Sequence, residues 1–571
     1  MEIPAHLKAW TVEQRPDLYT AIDQAAWRYI MRVSGAFFSR KAHAAYLEGL
    51  RATGISPERI PLIQEMDEKM KRIGWRAVAV SGFIPPQAFM EFQALGILPI
   101  ACDMRKLQHI LYTPAPDVVH EAAGHAPIIA DPDYSDYLRA FGGISRQAIY
   151  SGQDMALFRA IRHLSEVKED PAATPAAMDA AQRRFEETAA ALDWVSESNE
   201  LSRLYWWTVE YGLIGPLEDP RIYGAGLLSS AGESWHCLGP RVKRLPLDVG
   251  CVQVAFDITR QQPQLFVTPD FPHLRSVLEE YAATMACRTG GRAALEKALH
   301  AKAPTTTRLD SGLQVSGVLQ EVLTDGESRL GYLRWGGPVL LAEDDQPLRG
   351  HGRETHVHGF GAAVGRLAGG RRCVGELGAE DLRQLGFGGG GRGRLEYASG
   401  LVLEGRIGEL RETGEHNQLI RFEDCRVTWG DRLLFDPAWG SYDLVCGTEA
   451  VSVSGGWVDR GVEPEDLPAG PAAMKCNLDD ANRDLANLYA EVRRVRESDE
   501  RGAHIERRLG RVAERLERDH PADWLLRLEL VELEDRLPAE LGPVLRERLA
   551  RLEAAGPEAG ELIGRGLALC S

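Results

Sequence analysis

Apolar and polar positions recur in three different ways along this chain, and each pattern predicts a different kind of structure. Over residues 1 to about 300 the apolar positions fall mostly at helical spacing. Ala176–Trp207 keeps that spacing with few breakers, and Pro175 stands where a helix begins. Two short apolar runs, Ala77–Val80 and Leu95–Ile100, predict small strands. From about 306 to 475 the period becomes two. Leu313–Val318, Arg329–Trp335, Leu401–Ile407 and Leu433–Asp436 alternate between turn-forming residues, which predicts a small all-β region. The Gly388–Gly391 run lacks a strand–loop–helix setting and a following Lys-Ser/Thr, so a hairpin loop is favoured over a phosphate cradle. From about 477 the helical period returns, strongly amphipathic. Leu485, Leu488, Val492 and Val495 form one stripe, Ile505, Leu509, Val512 and Leu516 a second, and Leu541, Leu545, Leu549 and Leu552 a third. Pro521, Pro538 and Pro543 mark starts or breaks. No strict repeat period is present, so a bundle of helical hairpins is expected rather than a solenoid. Its leucine stripes suit either an oligomer interface or a bundle folded back on itself.

Composition bounds what such a chain can be. Its 571 residues correspond to three or four domains at about 150 residues each. A hydrophobic share of 44% and a charged share of 26% allow a substantial core. The net charge of −17 argues against nucleic acid or an anionic membrane as the main partner. Nine scattered cysteines without a CxxC pair suggest reduced thiols in a cytoplasm. No signal peptide is expected, because the start lacks a basic stretch followed by an apolar one, and no membrane span, because no apolar run reaches about 18 residues.

The densest chemistry is Pro116-Asp117-Val118-Val119-His120-Glu121-Ala122-Ala123-Gly124-His125. Histidines four apart, as in the zinc peptidase H-E-x-x-H, are separated by about 40° around a helix, whereas five apart gives about 140°. His120 and His125 can therefore share a metal only if the helix ends or loosens between them, and Gly124 and Pro127 stand where that is expected. Two unrelated helical histidines are the alternative. A second element bears on that choice: Leu204-Tyr205-Trp206-Trp207-Thr208-Val209-Glu210-Tyr211-Gly212, an aromatic helix with a lone carboxylate. Burying Glu210 without a partner would cost several kcal/mol. Two neutral imidazoles and one carboxylate form a facial triad that leaves positions open on Fe(II).

These two motifs, followed by Tyr223-Gly224-Ala225-Gly226-Leu227-Leu228-Ser229-Ser230-Ala231-Gly232-Glu233, resemble the pterin-dependent aromatic amino acid hydroxylases, and within them the bacterial phenylalanine 4-hydroxylases. The resemblance spans roughly residues 60–295, about 40% of the chain. It implies a mostly α catalytic domain of hydroxylase type over 1–300; with the changes of period beyond it, a multidomain protein is expected, in which a β-rich domain over 306–475 and a C-terminal helical segment over 477–571 follow. It implies Fe(II) on His120, His125 and Glu210, a tetrahydropterin (tetrahydrobiopterin or a relative) and O2, with one oxygen atom going to the substrate ring and the other to the pterin. No catalytic residue beyond the metal site is named. Arg105 would grip the substrate carboxylate, where a planar guanidinium can bind two oxygens, and Asp117 would orient it. Thr113 and Ser229 would hydrogen-bond the amino acid or support the site, with Pro116 and Trp206 as walls for its ring. Gly82, Phe83 and Ile84 would read the pterin edge, Phe89 would stack on it, and Glu121 would reach it. Taken alone, Phe89 suits an ordinary core equally well. Ile258 falls where phenylalanine hydroxylases carry an apolar residue, which favours phenylalanine over tyrosine; tryptophan, or another ring position, stays open.

The chain also departs from the family. The interval between His125 and Glu210 is long by several dozen residues, which predicts an inserted helical segment within Ala160–Asn199. Ala122-Ala123 replaces a bulkier pair, Pro85-Pro86 makes the pterin loop unusual, and no room is left for a regulatory ACT domain ahead of the catalytic one. Beyond residue 306 the only dense polar cluster is His351-Gly352-Arg353-Glu354-Thr355-His356-Val357-His358. His356 and His358 share a strand face and could hold a metal with His351, although an exposed histidine-rich hairpin is the simpler expectation. The readings to be separated are a cytoplasmic pterin-dependent monooxygenase acting on a free aromatic amino acid, a zinc hydrolase, and a non-catalytic scaffold. Homo-oligomerisation through the C-terminal helices is a further expectation.

Overall fold

The computed structural model describes residues 3–111, 116–169, 173–257, 261–370, 372–413, 416–460 and 482–570. Thr113 and Ile258 lie outside the described residues.

The helix Ala21–Lys41 packs against both the first part of the molecule and the C-terminal helices. It starts at Thr20, whose hydroxyl accepts from the Asp23 N–H at 3.1 Å while the Asp23 carboxylate accepts from the Thr20 N–H at 2.8 Å. Its apolar residues, among them Trp27, Ile30 and Phe38, are buried. The two short apolar runs become the parallel strands Arg76–Val80 and Ile97–Ala101, joined by the helix Pro86–Ala94. Pro85 and Pro86 sit at the start of that helix, where a missing N–H costs nothing.

The single helix expected over Ala176–Trp207 is two. Pro175–Ala190 is capped by Thr174, and a new helix, Glu197–Tyr205, starts where the Ser196 hydroxyl accepts from the Asn199 N–H at 3.0 Å. Helical periodicity does not register a short gap when a cap restarts the helix in phase. Pro175–Ala190 packs against Gly152–Glu169 as a hairpin.

The region that follows is built from two antiparallel sheets. In the first, Pro304–Leu309 is flanked by Leu313–Thr324 and by the much later Ala450–Gly455. The second is built on the long hairpin Leu401–Thr413 and His416–Trp429, with Tyr442–Val445 added to its edge. Alternating burial along Gly393–Glu396 shows the predicted period of two. Gly388–Gly390 forms a tight turn leading into that strand. Because the first strand of the region pairs with the last, the chain leaves beside the point where it entered. Ala450–Gly455 also lies on the helical part: the Gly455 N–H donates to the Gln147 carbonyl at 3.0 Å, and a Cβ there would meet the Ala148 carbonyl at 2.0 Å.

The C-terminal helices Arg483–Arg496, Ala503–Asp519, Leu525–Val531, Leu541–Ala555 and Pro557–Leu567 return to the first half of the molecule. Their leucine stripes are buried in one continuous core with Trp27, Tyr29 and Ile30. Arg28 pairs with Glu529 at 2.9 Å and with Glu532, and Arg32 also pairs with Glu532. The Tyr29 hydroxyl donates to the Leu562 carbonyl at 2.6 Å, and its ring meets Trp524 edge-on. Arg565 lies over the Trp235 ring at 3.9 Å and donates to the Ala231 carbonyl. These helices are thus neither a self-contained bundle nor free to present their stripes to another copy. Among the described residues, no helix is long and apolar enough to cross a membrane.

Candidate active site

The two segments that carry the histidines and the carboxylate share an uncommon backbone. Val119–His125 is a π-turn, in which hydrogen bonds close between residues five apart. That geometry returns residue i+5 to the same face, so His120 and His125 converge where a regular α-helix would separate them. The loosening expected near Gly124 and Pro127 is therefore a widening of the helix itself, with Pro127 opening the helix Ala126–Ile129 behind it. Trp206–Glu210 is a second π-turn, closed by the Tyr211 N–H on the Trp206 carbonyl at 2.8 Å. Such widenings are rare and concentrate at functional sites.

Glycines let a third segment, Gly224–Ser229, close the site. A Cβ on Gly124 would stand 2.6 Å from the Ala225 carbonyl oxygen, and one on Gly224 would stand 2.4 Å from the Glu210 carbonyl oxygen. The result is a triangle of donor atoms. His120 Nε2 and His125 Nε2 are 3.1 Å apart, His125 Nε2 is 3.3 Å from Glu210 Oε1, and His120 Nε2 is 3.5 Å from Glu210 Oε2. Atoms bound at about 2.0–2.2 Å on adjacent corners of one ion stand about 2.8–3.6 Å apart, from octahedral to tetrahedral geometry. The donor set fits a divalent metal. Two imidazole nitrogens, one on a buried ring and one on a half-buried ring, face one another beside a half-buried carboxylate, and a shared cation relieves that crowding. Glu121 Oε2, 3.9 Å from His125 Nε2, is the more distant carboxylate and has no hydrogen-bond partner.

The surroundings tune these groups. The Ser229 hydroxyl donates to the Ala225 carbonyl at 2.8 Å, so its oxygen is left to accept from His120 Nδ1 at 3.0 Å. That bond leaves Nε2 as the lone-pair nitrogen facing the triangle. Burial drives the His120 imidazole down to about 4, so it is neutral near pH 7. Burial also pushes the Glu121 carboxyl up to about 8. For Glu210 burial works in the raising direction, but His120, His125 and the Gly226 N–H outweigh it and hold the carboxyl below its usual range. For His125 burial works in the lowering direction and is outweighed by Glu210 and Glu121, which raise it.

Arg105 and Asp117 are both buried and bound in a fork, Nε to Oδ2 at 2.7 Å and Nη2 to Oδ1 at 2.8 Å. A third N–H of Arg105 reaches the Ser229 carbonyl at 2.9 Å, and Asp117 also accepts from the His120 N–H at 2.9 Å. Asp117 therefore joins the arginine to the π-turn. Trp206 stacks between Phe256 at 4.3 Å and Tyr211 at 4.6 Å, and Pro116 is partly exposed just ahead of the π-turn. Gly82 has φ +61°, a conformation that favours glycine, and its N–H donates to Asp103 Oδ2 at 3.1 Å. Phe83 is partly exposed and Ile84 is buried. Phe89 is partly buried and meets Tyr205 edge-on at 6.2 Å.

Asp103 and Phe256 are absent from the sequence-derived set. The Asp103 carbonyl accepts from the Val118 N–H at 2.8 Å, so this residue links the Gly82 loop to the histidine turn. Neither residue has a spacing signal, because both act through contacts between distant segments. The glycines at 224 and 226 were a visible signal for the closing segment.

The family model for biopterin-dependent aromatic amino acid hydroxylases matches residues 12–152 and 189–290. The phenylalanine-4-hydroxylase of Ralstonia nicotianae is 31% identical over 268 residues, covering 46% of this chain and 72% of the relative. The chain belongs to the biopterin-dependent aromatic amino acid hydroxylase family. The hydroxylase also matches the phenylalanine-4-hydroxylase of Chromobacterium violaceum, 31% identical over 40% of this chain and 63% of the relative. Human tyrosine 3-monooxygenase is 26% identical over 46% of this chain and 43% of its own length. A crystal structure of the Chromobacterium violaceum enzyme with bound iron(III) and 7,8-dihydrobiopterin is 28% identical over 50% of this chain and 88% of that one, at a TM-score of 0.39. The family match breaks over residues 153–188, the helical hairpin, so the insertion begins ahead of the expected Ala160–Asn199 interval. Residues beyond 290 also lie outside the match.

Proposed function

We propose that this hydroxylase converts free phenylalanine to tyrosine, with Fe(II) held by His120, His125 and Glu210. The observation that carries the reading is the triangle of three donor atoms 3.1–3.5 Å apart beside the Arg105–Asp117 fork. When bound, Fe(II) and a tetrahydropterin supply O2 activation and the electrons for ring hydroxylation. The chain's own work is placement. Arg105, fixed by Asp117 and the Ser229 carbonyl, receives the substrate carboxylate, with Thr113 and Ser229 supporting its backbone. Pro116, Trp206 and Ile258 border the ring. Gly82, Phe83, Ile84 and Phe89 take the pterin, with Glu121 turned towards it. His120 stays neutral and Glu210 ionised near pH 7, so both offer lone pairs, and a bound cation in place of the proton would hold His125 in the form that offers its own. Family membership favours this reading over a zinc hydrolase or a scaffold.

We assign residues 1–300 to catalysis, in the cytoplasm, and the β-rich 306–475 and helical 477–571 regions to bracing it. A homo-oligomer would have to use a surface other than the buried leucine stripes. The test is phenylalanine-dependent tetrahydropterin oxidation with added Fe(II), the product identified by mass and retention. Tyrosine is expected. The absence of any hydroxylated phenylalanine, tyrosine or tryptophan would overturn the reading. Glu210→Ala is expected to lose iron and product while keeping its circular dichroism, and undiminished coupled turnover in that variant would remove Glu210 from the ligand set.

A further inference from the structure

The histidine cluster of the β-rich region is not the set its spacing suggests. His358 is exposed and stands outside the group, while Asp443, 85 residues further on, joins it. We propose that His351, His356 and Asp443 form a second metal site, for a divalent first-row ion such as Zn2+, that clips the two β-sheets of this region together.

The loop carrying both histidines is tied to the first sheet. The Leu341 N–H donates to the His351 carbonyl at 3.0 Å, and the Val339 N–H donates to the His356 carbonyl at 3.1 Å. Both acceptors therefore hang on the strand Leu330–Glu343. Asp443 lies on Tyr442–Val445, in the second sheet. The three ligand atoms fall within 4.8 Å of one another. His351 Nδ1 is 3.2 Å from His356 Nε2 and 3.7 Å from Asp443 Oδ2. Ligands held tetrahedrally at about 2.0–2.2 Å stand about 3.3–3.6 Å apart, so the two edges at His351 lie within a few tenths of an ångström of that spacing, and the His356–Asp443 edge, below 4.8 Å, closes by up to about 1.5 Å on binding. The side chains are shielded, 14% exposed for His351 and 7% for Asp443.

The groups behind the ligands hold them in position. Arg421 binds the two Asp443 oxygens at 2.8 and 3.0 Å, which orients the carboxylate and leaves a lone pair on each oxygen. The His356 ring meets Phe360 edge-on at 5.1 Å and lies nearly parallel to His351. Burial keeps both imidazoles towards the neutral form that binds metals. With two nitrogens and one carboxylate from protein, the fourth position falls to water. The Arg421 charge opposes a cation, so affinity below that of an all-cysteine site is expected.

The experiment uses the full chain carrying His120→Ala and Glu210→Ala, stripped with chelator and titrated with Zn2+ against a chromogenic competitor. One zinc per chain is expected, with a rise in Tm on its addition. Adding His351→Ala or His356→Ala should weaken binding at least thirtyfold and remove the Tm rise, Asp443→Asn should weaken it about tenfold, and His358→Ala should change nothing. Circular dichroism of each metal-free variant checks the fold. If the starting double variant does not fold, the same comparison is made in the parent chain, where His356→Ala should lower bound zinc by one. No bound zinc in the double variant, an unchanged zinc content on His356→Ala in the parent chain, or equal losses for His358→Ala and His356→Ala would overturn the proposal.

Discussion

At the residue scale, the hydrogen bond to His120 decides which ring nitrogen faces the triangle. Ser229→Ala removes the acceptor for His120 Nδ1 while leaving the three donor side chains in place. Loss of such a supporting bond typically costs ten- to a hundredfold in metal affinity. That range is expected for iron here, measured by chelator competition at equal circular dichroism; unchanged affinity would show that the Ala225–Ser229 helix alone orients the ring. His120, Glu121, His125 and Glu210 were legible in the sequence because their chemistry is unusual among apolar neighbours. Asp103 and Phe256 were not. An aspartate beside a cysteine and a phenylalanine beside an aspartate carry no periodic or compositional mark, and their roles come from segments brought together by folding.

At the element scale, the five-residue histidine spacing poses a geometrical problem, and the π-turn resolves it. The closeness of Gly124 to the Ala225 carbonyl makes this turn intolerant of a side chain. Gly124→Ala should force the turn away from the closing helix, at about 1–3 kcal/mol of stability, with iron binding lost before the fold. Thermal unfolding and metal content measured together test this. The strand Arg76–Val80 that leads into the Gly82 loop depends on Asp67, which accepts from Arg76 at 2.7 and 3.0 Å and from the Ala77 N–H at 2.9 Å. Burial alone would raise the Asp67 carboxyl, but these bonds outweigh it and hold it below its usual range. A depressed carboxyl contributes stability above its unfolded value, near 3.9, and loses it as pH falls through the folded value. Asp67→Asn should therefore cost about 1–2 kcal/mol at pH 7, and the difference from the parent should shrink below about pH 4. A loss independent of pH would point to packing instead of charge.

At the scale of the whole molecule, the C-terminal helices reach the catalytic part through Arg565. It covers Trp235 and holds the Ala231 carbonyl, two residues beyond Ser229, whose own carbonyl receives Arg105. Arg565→Ala should lower stability by about 1–2 kcal/mol and raise KM for the amino acid by more than it lowers kcat. A fall in Tm with KM unchanged would reduce Arg565 to a stabilising contact. The extra length beyond the family match is thus built onto the enzyme: the β-rich region packs against Gln147 and Ala148, and the terminal helices pack on Ala21–Lys41.

Local periodicity, capping residues and spaced chemical motifs set the helix and strand types, the donor residues and the family of this protein, because each depends on neighbours within a few turns of chain. The joining of what lies far apart was decided only in three dimensions. The pairing of Pro304–Leu309 with Ala450–Gly455, the return of the leucine stripes to Ala21–Lys41 and the meeting of Asp443 with His351 all depend on which buried surfaces complement one another. Complementarity of that kind is a property of packed shapes and charges, which periodicity along a single chain does not contain.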